Sequence, residues 1–465
     1  MESGRQYPSL NWEIHWWTSR CISRMSISGH SPFGCADCAT AREFPSALPA
    51  PCSGAASPRP RRGNPGQPGH FALRPAPGVY WGRGALMRLE DELKAYARAI
   101  GIHSLGIGSA APFPEEAALL ESMREEGTYP AFTERDPALR TRPGRWLKNA
   151  ASVIAIAVSY HSQEHHHPPA RGELRGLVSR YAWGRDYHPV LKEKLDAVVS
   201  FLSQRVGRPV AFAPFVDTGP PVERAVAVRA GIGWFGKNAC IYTPRHGSYV
   251  FLAQVVTDVE LEPDPPVSRA CGPCDRCIRA CPTGAIERPF WVNPYKCLSY
   301  ITQMPGMIPK EYRKAMGRRL WGCDVCQIVC PWNWEAEKEG DPAFSAGEGE
   351  GPRPELIPLL TMSNAQFRAR FGRTAMGWRG KKTIQRNACI CLGNIGDPRA
   401  VPALADRLHR DPKPVVRASA AWALGEIGGA QARRELERAL RREQDPMVIG
   451  EIRDALDAAG KTAQA

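Results

Sequence analysis

Apolar residues keep different rhythms in different parts of the chain. A helical period starts abruptly at Met87, with Leu89, Leu93, Tyr96, Ala97 and Ile100 on one face. Up to about residue 260 such segments alternate with short apolar runs, of which 151–160 and 250–257 read as buried strands. A further run, 210–215, ends just before Asp217. This alternation predicts an α/β domain over residues 87–260. Residues 338–354 are rich in Gly, Glu and Pro and read as a linker. Beyond them, Cys391-Leu392-Gly393-Asn394-Ile395-Gly396, Ala423-Leu424-Gly425-Glu426-Ile427-Gly428 and Ala455-Leu456-Asp457-Ala458-Ala459-Gly460 recur every 32 residues. Each closes an Ala-rich helical segment, which predicts a solenoid of helix pairs of the HEAT type, turned at Asp397-Pro398 and Asp411-Pro412. Residues 1–86 hold eleven prolines and no sustained period; they read as a disordered extension, with Met87 as the natural start. The expected whole is a multidomain α+β protein: extension 1–86, α/β domain 87–260, a cysteine-rich domain 261–340, and linker plus helical repeat 341–465.

Composition narrows this only a little. Hydrophobic residues make up 43% and charged residues 23%, an ordinary globular mix, and no apolar stretch is long enough to span a bilayer. A soluble protein without a membrane partner is expected. The formal net charge of +14 favours an anionic partner, nucleic acid being the commonest. Within 366–386 the cations Arg368, Arg370, Arg373, Arg379, Lys381, Lys382 and Arg386 meet no acidic residue and are interleaved with Phe367, Phe371 and Trp378. That pattern resembles a footprint for RNA or DNA, against the plainer reading of a solvated face.

Eight of the fifteen cysteines fall in two sets between residues 271 and 330. The first is Cys271-x2-Cys274-x2-Cys277-x3-Cys281-Pro282. The second is Cys297 followed by Cys323-x2-Cys326-x3-Cys330-Pro331. Thiolates at i, i+3 and i+6 wrap one loop around a cubane cluster, and a fourth before a proline is carried toward a neighbouring cluster. Two [4Fe-4S] clusters are expected, in a ferredoxin-like arrangement. Disulfides or zinc give no reason for two Cys-x3-Cys-Pro endings. The other seven cysteines show no framework spacing, which fits a reducing cytoplasm. Cys35-x2-Cys38 reads as incidental, and His165, His166 and His167 as a solvated surface run.

Two clusters relay single electrons, so something must receive them. Either the preceding domain holds a cofactor and the protein is an enzyme, or the acceptor is external and the protein is a carrier. A carrier needs far less scaffold, which favours the enzyme. Two stretches, 180–188 and 216–224, carry the polar density of a site, and a glycine-rich stretch follows them. Residues 180–188 mix Arg180, Tyr181 and Trp183 with Asp186, Tyr187 and His188 ahead of a helix. Asp217 ends a strand; taken alone it reads as a turn or N-cap aspartate, although a carboxyl at the mouth of an apolar pocket can act as a general acid. Gly231-Ile232-Gly233-Trp234-Phe235-Gly236-Lys237-Asn238 matches G-x-G-x-x-G but opens no helix after a strand, so it is a poor dinucleotide motif and leaves open a loop pressed against some large cofactor.

Residues 87–460 resemble the epoxyqueuosine reductase family of cobalamin-dependent iron-sulfur enzymes. The likeness rests on Arg180-Tyr181 with Asp186-Tyr187-His188, on Asp217-Thr218-Gly219-Pro220, on residues 231–238, on Cys297-Leu298-Ser299-Tyr300-Ile301-Thr302, and on residues 321–333, where Gln327 and Trp332 join the cysteines. The resemblance implies one cluster on Cys271, Cys274, Cys277 and Cys330, and another on Cys281, Cys297, Cys323 and Cys326. It implies cobalamin touched by Arg180, Tyr181, Ser299 and Asp324, with Asp217 as the proton donor, reversing the plainer reading of that residue. It also implies a cytoplasmic monomer that takes electrons from an external donor and reduces epoxyqueuosine to queuosine in tRNA, held by the basic repeat. Ser299, Asp324 and Gln327 suggest that the cluster loops form one wall of the site. The rival expectations are a cobalamin reductase of reductive-dehalogenase type and a non-enzymatic iron-sulfur carrier.

Overall fold

The computed structural model describes residues 87–130, 132–162 and 169–462. The readings made for residues 1–86, including Cys35 and Cys38, and for His165, His166 and His167 lie outside the described residues.

A four-stranded sheet organises the first domain. Its strands lie in the order Ser104–Ser109, Ser152–Ser159, Val250–Thr257, Phe212–Phe215, and every neighbouring pair is antiparallel. This corrects the α/β expectation, because the strands do not form parallel crossover units and the domain is α+β. Ser152–Ser159 is buried at every position because both faces are covered. Ile154, Ile156 and Val158 pack with Leu191, Leu195, Val198 and Leu202 of the helix Tyr187–Val206. Val153, Ala155 and Ala157 point the other way, onto Ala225, Val226 and Ala227 of the helix Glu223–Arg229. Alternate side chains of one strand thus feed two cores.

The cysteine region is short helices and loops: Arg276–Ala280, Leu298–Ile301, Val325–Ile328 and Pro331–Trp334. It is laced to the first domain by a parallel pairing of Arg319–Trp321 with Leu177–Val178. Asn333 adds to this, its Oδ1 accepting from the Ser248 amide at 2.7 Å and its Nδ2 donating to the Gln327 carbonyl at 2.8 Å.

Residues 338–354 are not a free tether. The Asp341 amide donates to Ser159 O at 2.8 Å, and Phe344 is buried against Phe251. A Cβ on Gly340 would lie 2.4 Å from His161 O, so this glycine permits close approach of two backbones. The helices Lys381–Ile395, Val401–Arg410, Pro414–Ile427, Gly429–Leu440 and Pro446–Thr462 then follow one another to the end of the described residues. The first of them carries Arg386, which is buried and donates to the carbonyls of Met304 at 2.6 Å, Gly306 at 2.7 Å and Thr302 at 3.0 Å. These carbonyls end the helix Leu298–Ile301 and the turn after it, so the guanidinium satisfies acceptors that would otherwise be orphaned. Among the described residues no helix is long and apolar enough to cross a membrane.

Candidate active site and paired cysteine sets

Asp217 lies two residues beyond the strand Phe212–Phe215 with φ at +56°, in the left-handed region that a non-glycine residue enters at a cost of about 1–2 kcal/mol. Something must hold it there. Its backbone N–H donates to Glu223 Oε1 at 2.7 Å, and Gln254 Nε2 donates to the same oxygen at 3.1 Å. Gln254 is buried in the strand Val250–Thr257, opposite Phe215 in the ladder, so the sheet braces the loop through Glu223. Burial first, and the Asp217 carboxyl second, push Glu223 up to about 8.

The Asp217 side chain meets the start of the helix Tyr187–Val206. Tyr187 Oη donates to Asp217 Oδ2 at 2.6 Å, and His188 Nε2 stands 3.7 Å from the same oxygen. His188 Nδ1 lies 2.7 Å from Asp186 Oδ1, and Asp186 also caps the helix by accepting from the His188 amide at 3.0 Å. Burial alone would lower the His188 value, but the Asp186 hydrogen bond and the charges of Asp217 and Asp186 leave it raised. Burial, then Asp217, holds the Tyr187 phenol well above the ordinary tyrosine range, so it remains a donor.

Asp217 opens onto a cavity of about 250 Å³. One wall comes from the sheet domain, with Tyr160, Ser179, Tyr181 and Tyr187; the other comes from the cysteine loops, with Cys281, Cys297, Ser299, Cys323, Cys326 and Gln327. Of the four residues expected to touch a cofactor, Tyr181 and Ser299 line this space. Arg180 and Asp324 stand behind it. Arg180 is buried between Trp183 and Tyr249, 4.5 and 5.1 Å from their ring centres, and its Nη1 donates to Ser162 O at 2.9 Å. Asp324 accepts from Ser179 Oγ and, at 2.7 Å, from the Arg180 amide. The pair braces the wall on which Ser179 and Tyr181 sit.

No disulfide joins any cysteine among the described residues. Proximity sorts the eight into two sets. Cys271 feels the charge of Cys330 and Cys274, and Cys277 that of Cys271 and Cys330. Cys297 feels Cys323 and Cys281; Cys326 shares a hydrogen bond with Cys240 and feels Cys323 and Cys297 after it, and because Cys240 also neighbours Cys277 and Cys330, this ninth thiol stands against both sets. Burial, and then these neighbours, push Cys277 and Cys297 each up to about 12. Among the described residues no three His, Cys, Asp or Glu side chains converge on one point as a single metal ion requires. Two sulfurs already receive backbone donors, Cys271 from Lys237 at 3.4 Å and Cys281 from Ala285 at 3.2 Å.

The glycine-rich stretch 231–238 packs on these loops. Lys237 Nζ donates to the Gly272 and Cys274 carbonyls, each at 2.8 Å. Its glycines serve packing: a Cβ on Gly233 would fall 2.1 Å from Tyr242 O. Of the seven cations in 366–386, Arg386 is spent inside the fold, Arg370 pairs with Glu350, and Lys381 Nζ donates to Met362 O at 3.2 Å. Arg379 is stacked between Phe132 and Trp378. Arg368, Arg373 and Lys382 remain exposed.

The sequence reading gave no role to Glu223, Tyr187, Ser179 or Gln254. Only the first two had a signal, since both fall inside the stretches singled out around Asp217 and Asp186.

Three family models match the chain: Epoxyqueuosine reductase QueG, DUF1730, at residues 140–218; a 4Fe-4S double cluster binding domain at 270–333; and HEAT repeats at 379–457. Epoxyqueuosine reductase of Bacillus subtilis (strain 168) is 42% identical over 342 residues, covering 72% of this chain and 86% of the relative. That of Listeria monocytogenes is 44% identical over 344 residues, covering 72% and 88%. A solved structure of epoxyqueuosine reductase with a tRNA-Tyr epoxyqueuosine-modified tRNA stem loop superposes with a TM-score of 0.77 at 41% identity, covering 80% of this chain and 99% of that one. An epoxyqueuosine reductase structure from Streptococcus thermophilus gives 0.72 at 34% identity, covering 82% and 100%. The chain belongs to the epoxyqueuosine reductase family.

Proposed function

We propose that this protein is the oxidoreductase that converts epoxyqueuosine to queuosine in tRNA, removing the epoxide oxygen as water with two electrons and two protons. The observation that carries this reading is the cavity in which Asp217 faces a wall containing one whole set of four cysteines. Cleaving the carbon–oxygen bonds requires an acid and an electron source within reach of the same atoms, and the two walls supply one each. A bare electron carrier has no use for such a cavity.

We assign one [4Fe-4S] cluster to Cys271, Cys274, Cys277 and Cys330, and the other to Cys281, Cys297, Cys323 and Cys326. The mutual neighbours within each set support this, as do the N–H groups aimed at Cys271 and Cys281. We assign cobalamin to the space between the walls on the chemistry of its lining, which mixes the apolar Val250, Leu252, Ile286 and Leu298 with the hydroxyl and amide groups of Ser179, Ser299, Asn238 and Gln327 and so suits a macrocycle edged with amides. Tyr181 and Ser299 would hold it, with Arg180 and Asp324 supporting the wall. When bound, it supplies a cobalt centre that takes up single electrons and delivers them to the epoxide.

Asp217 is the proton donor to the departing oxygen. Tyr187 Oη donates to Oδ2 and so steadies the carboxyl at the cavity wall. His188, held by Asp186, stands ready to restore that proton. Arg368, Arg373 and Lys382 are the cations free to meet phosphates of the tRNA, whose grip depends on charge and shape.

The test is an anaerobic incubation of the reconstituted protein with tRNA carrying epoxyqueuosine and a chemical reductant, followed by nucleoside mass analysis. Queuosine should appear in proportion to time and enzyme. Unchanged epoxyqueuosine in the presence of both clusters and a bound corrin would overturn the proposal.

A further inference from the structure

The two cysteine sets face different ways. The set of Cys281, Cys297, Cys323 and Cys326 lines the cavity, whereas Cys271, Cys274, Cys277 and Cys330 do not. The loop of that outer set, at Gly272 and Pro273, is exposed. Beside it the helix Pro331–Trp334, which begins at Cys330, ends in Trp334, whose side chain is 55% exposed, and Ile328 next to it is 41% exposed. Large apolar groups left in water beside a redox centre need an explanation.

Their surroundings supply one. Trp334 Nε1 donates to Ile328 O at 2.7 Å, which fixes the indole at the surface. The Arg276 guanidinium covers its ring at 5.0 Å, and Arg269 lies 5.7 Å from both Trp234 and Trp332. Neither arginine has a carboxylate partner among the described residues, whereas Arg279 is neutralised by Asp275 at 2.9 Å. Against the two arginines stands the exposed Glu335, just past the end of this helix. The patch is therefore aromatic at its centre and positive around it, an anatomy suited to a small, transient protein contact.

We propose that this face, formed by Arg269, Arg276, Ile328 and Trp334, is the docking site for an acidic one-electron carrier protein. The inference rests on the cluster assignment of the proposed function. At each encounter the carrier is oxidised by one electron and the outer cluster is reduced by one. With both clusters bound, the one held by Cys281, Cys297, Cys323 and Cys326 at the cavity wall would take the electron on, and two encounters would supply the pair that the epoxide consumes. Electrons thus travel in one direction, from the positive face to the site of chemistry.

The probe is a plant-type [2Fe-2S] ferredoxin, reduced and mixed with holoenzyme in a stopped-flow instrument, with its oxidation followed by absorbance. At low salt the Arg269→Glu/Arg276→Glu protein should oxidise ferredoxin at least about tenfold more slowly than the parent, the scale expected for lost electrostatic steering. Salt should slow the parent and hardly affect the variant. The Arg269→Lys/Arg276→Lys protein should keep most of the rate, and reduced methyl viologen should reduce all three proteins equally fast with unaltered cluster absorption. Equal ferredoxin rates in parent and charge-reversed protein, or an equal fall with viologen, would overturn the docking site. Turnover of modified tRNA driven by viologen tests the reaction by itself, so the docking site can fail while the proposed function stands.

Discussion

Glu223→Gln should make this protein more stable above neutral pH. Glu223 is fully enclosed, accepts from the Asp217 amide and from Gln254, and is pushed up to about 8 from an ordinary 4.5. A carboxyl raised in the folded state favours folding fully below pH 4.5, and that contribution is lost as pH rises through about 8. The interval is about 3.5 units, and at about 1.4 kcal/mol per unit the loss has a ceiling of about 5 kcal/mol. Local relaxation around the new charge brings the expected figure nearer 2–3 kcal/mol. Glutamine keeps a carbonyl oxygen for both donors and cannot ionise, so the variant escapes the loss. Urea unfolding of reconstituted parent and variant, run anaerobically at half-unit steps from pH 6 to 9, measures the difference directly. It should widen with pH up to about 8 and then level off. A difference that stays flat across this range would show that Glu223 is ionised throughout, and the reasoning from burial would fail.

Asp217→Asn should keep both clusters, visible in the absorption spectrum, and lose turnover by about a hundredfold or more, the usual cost of a missing general acid. Glu451→Ala strands Arg313, whose guanidinium is 2% exposed and now meets both carboxylate oxygens at 2.8 Å; a loss of about 3–5 kcal/mol is expected, read as a lowered melting temperature of the whole chain. Cys330→Ser should halve the iron bound per chain, and adding Cys277→Ser should cost no further iron because both serve the same cluster; on an uncrossed ligand set the double variant would lose both clusters.

What the sequence made legible depended on whether the relevant partner was local. Residues 151–160 announced a buried strand because 153–158 are apolar without a break, and that is where Ser152–Ser159 lies. Its pairing was not legible: the neighbour Val250–Thr257 is far along the chain, and nothing local says that the two run antiparallel. The cysteine spacing is local chemistry and pointed directly to the double-cluster domain that matches residues 270–333. Arg386 shows the opposite case. It looked like one more cation of an RNA-binding run, yet its charge is used by carbonyls of residues 302–306, which no pattern around position 386 reveals. Residues 338–354 looked like a tether because glycines there suggest freedom; Gly340 is needed because it lies against His161 O, a contact made across the fold. Asp217 could be singled out from its place after a strand, but its left-handed backbone and the Glu223 support could not, since both depend on a sheet register that brings Gln254 opposite Phe215.

The crossing of the cysteine sets bears on how the protein is made. A chain leaves the ribosome from its N-terminus, and on the proposed assignment neither cluster has all its ligands until residues 323–330 have emerged. By then every strand of the four-stranded sheet has been synthesised. The first three thiols of the outer set must wait, unligated by a fourth, while about fifty more residues are translated. Maturation is thus ordered by the chain itself: protein scaffold first, iron and sulfur afterwards, both clusters within the same short window.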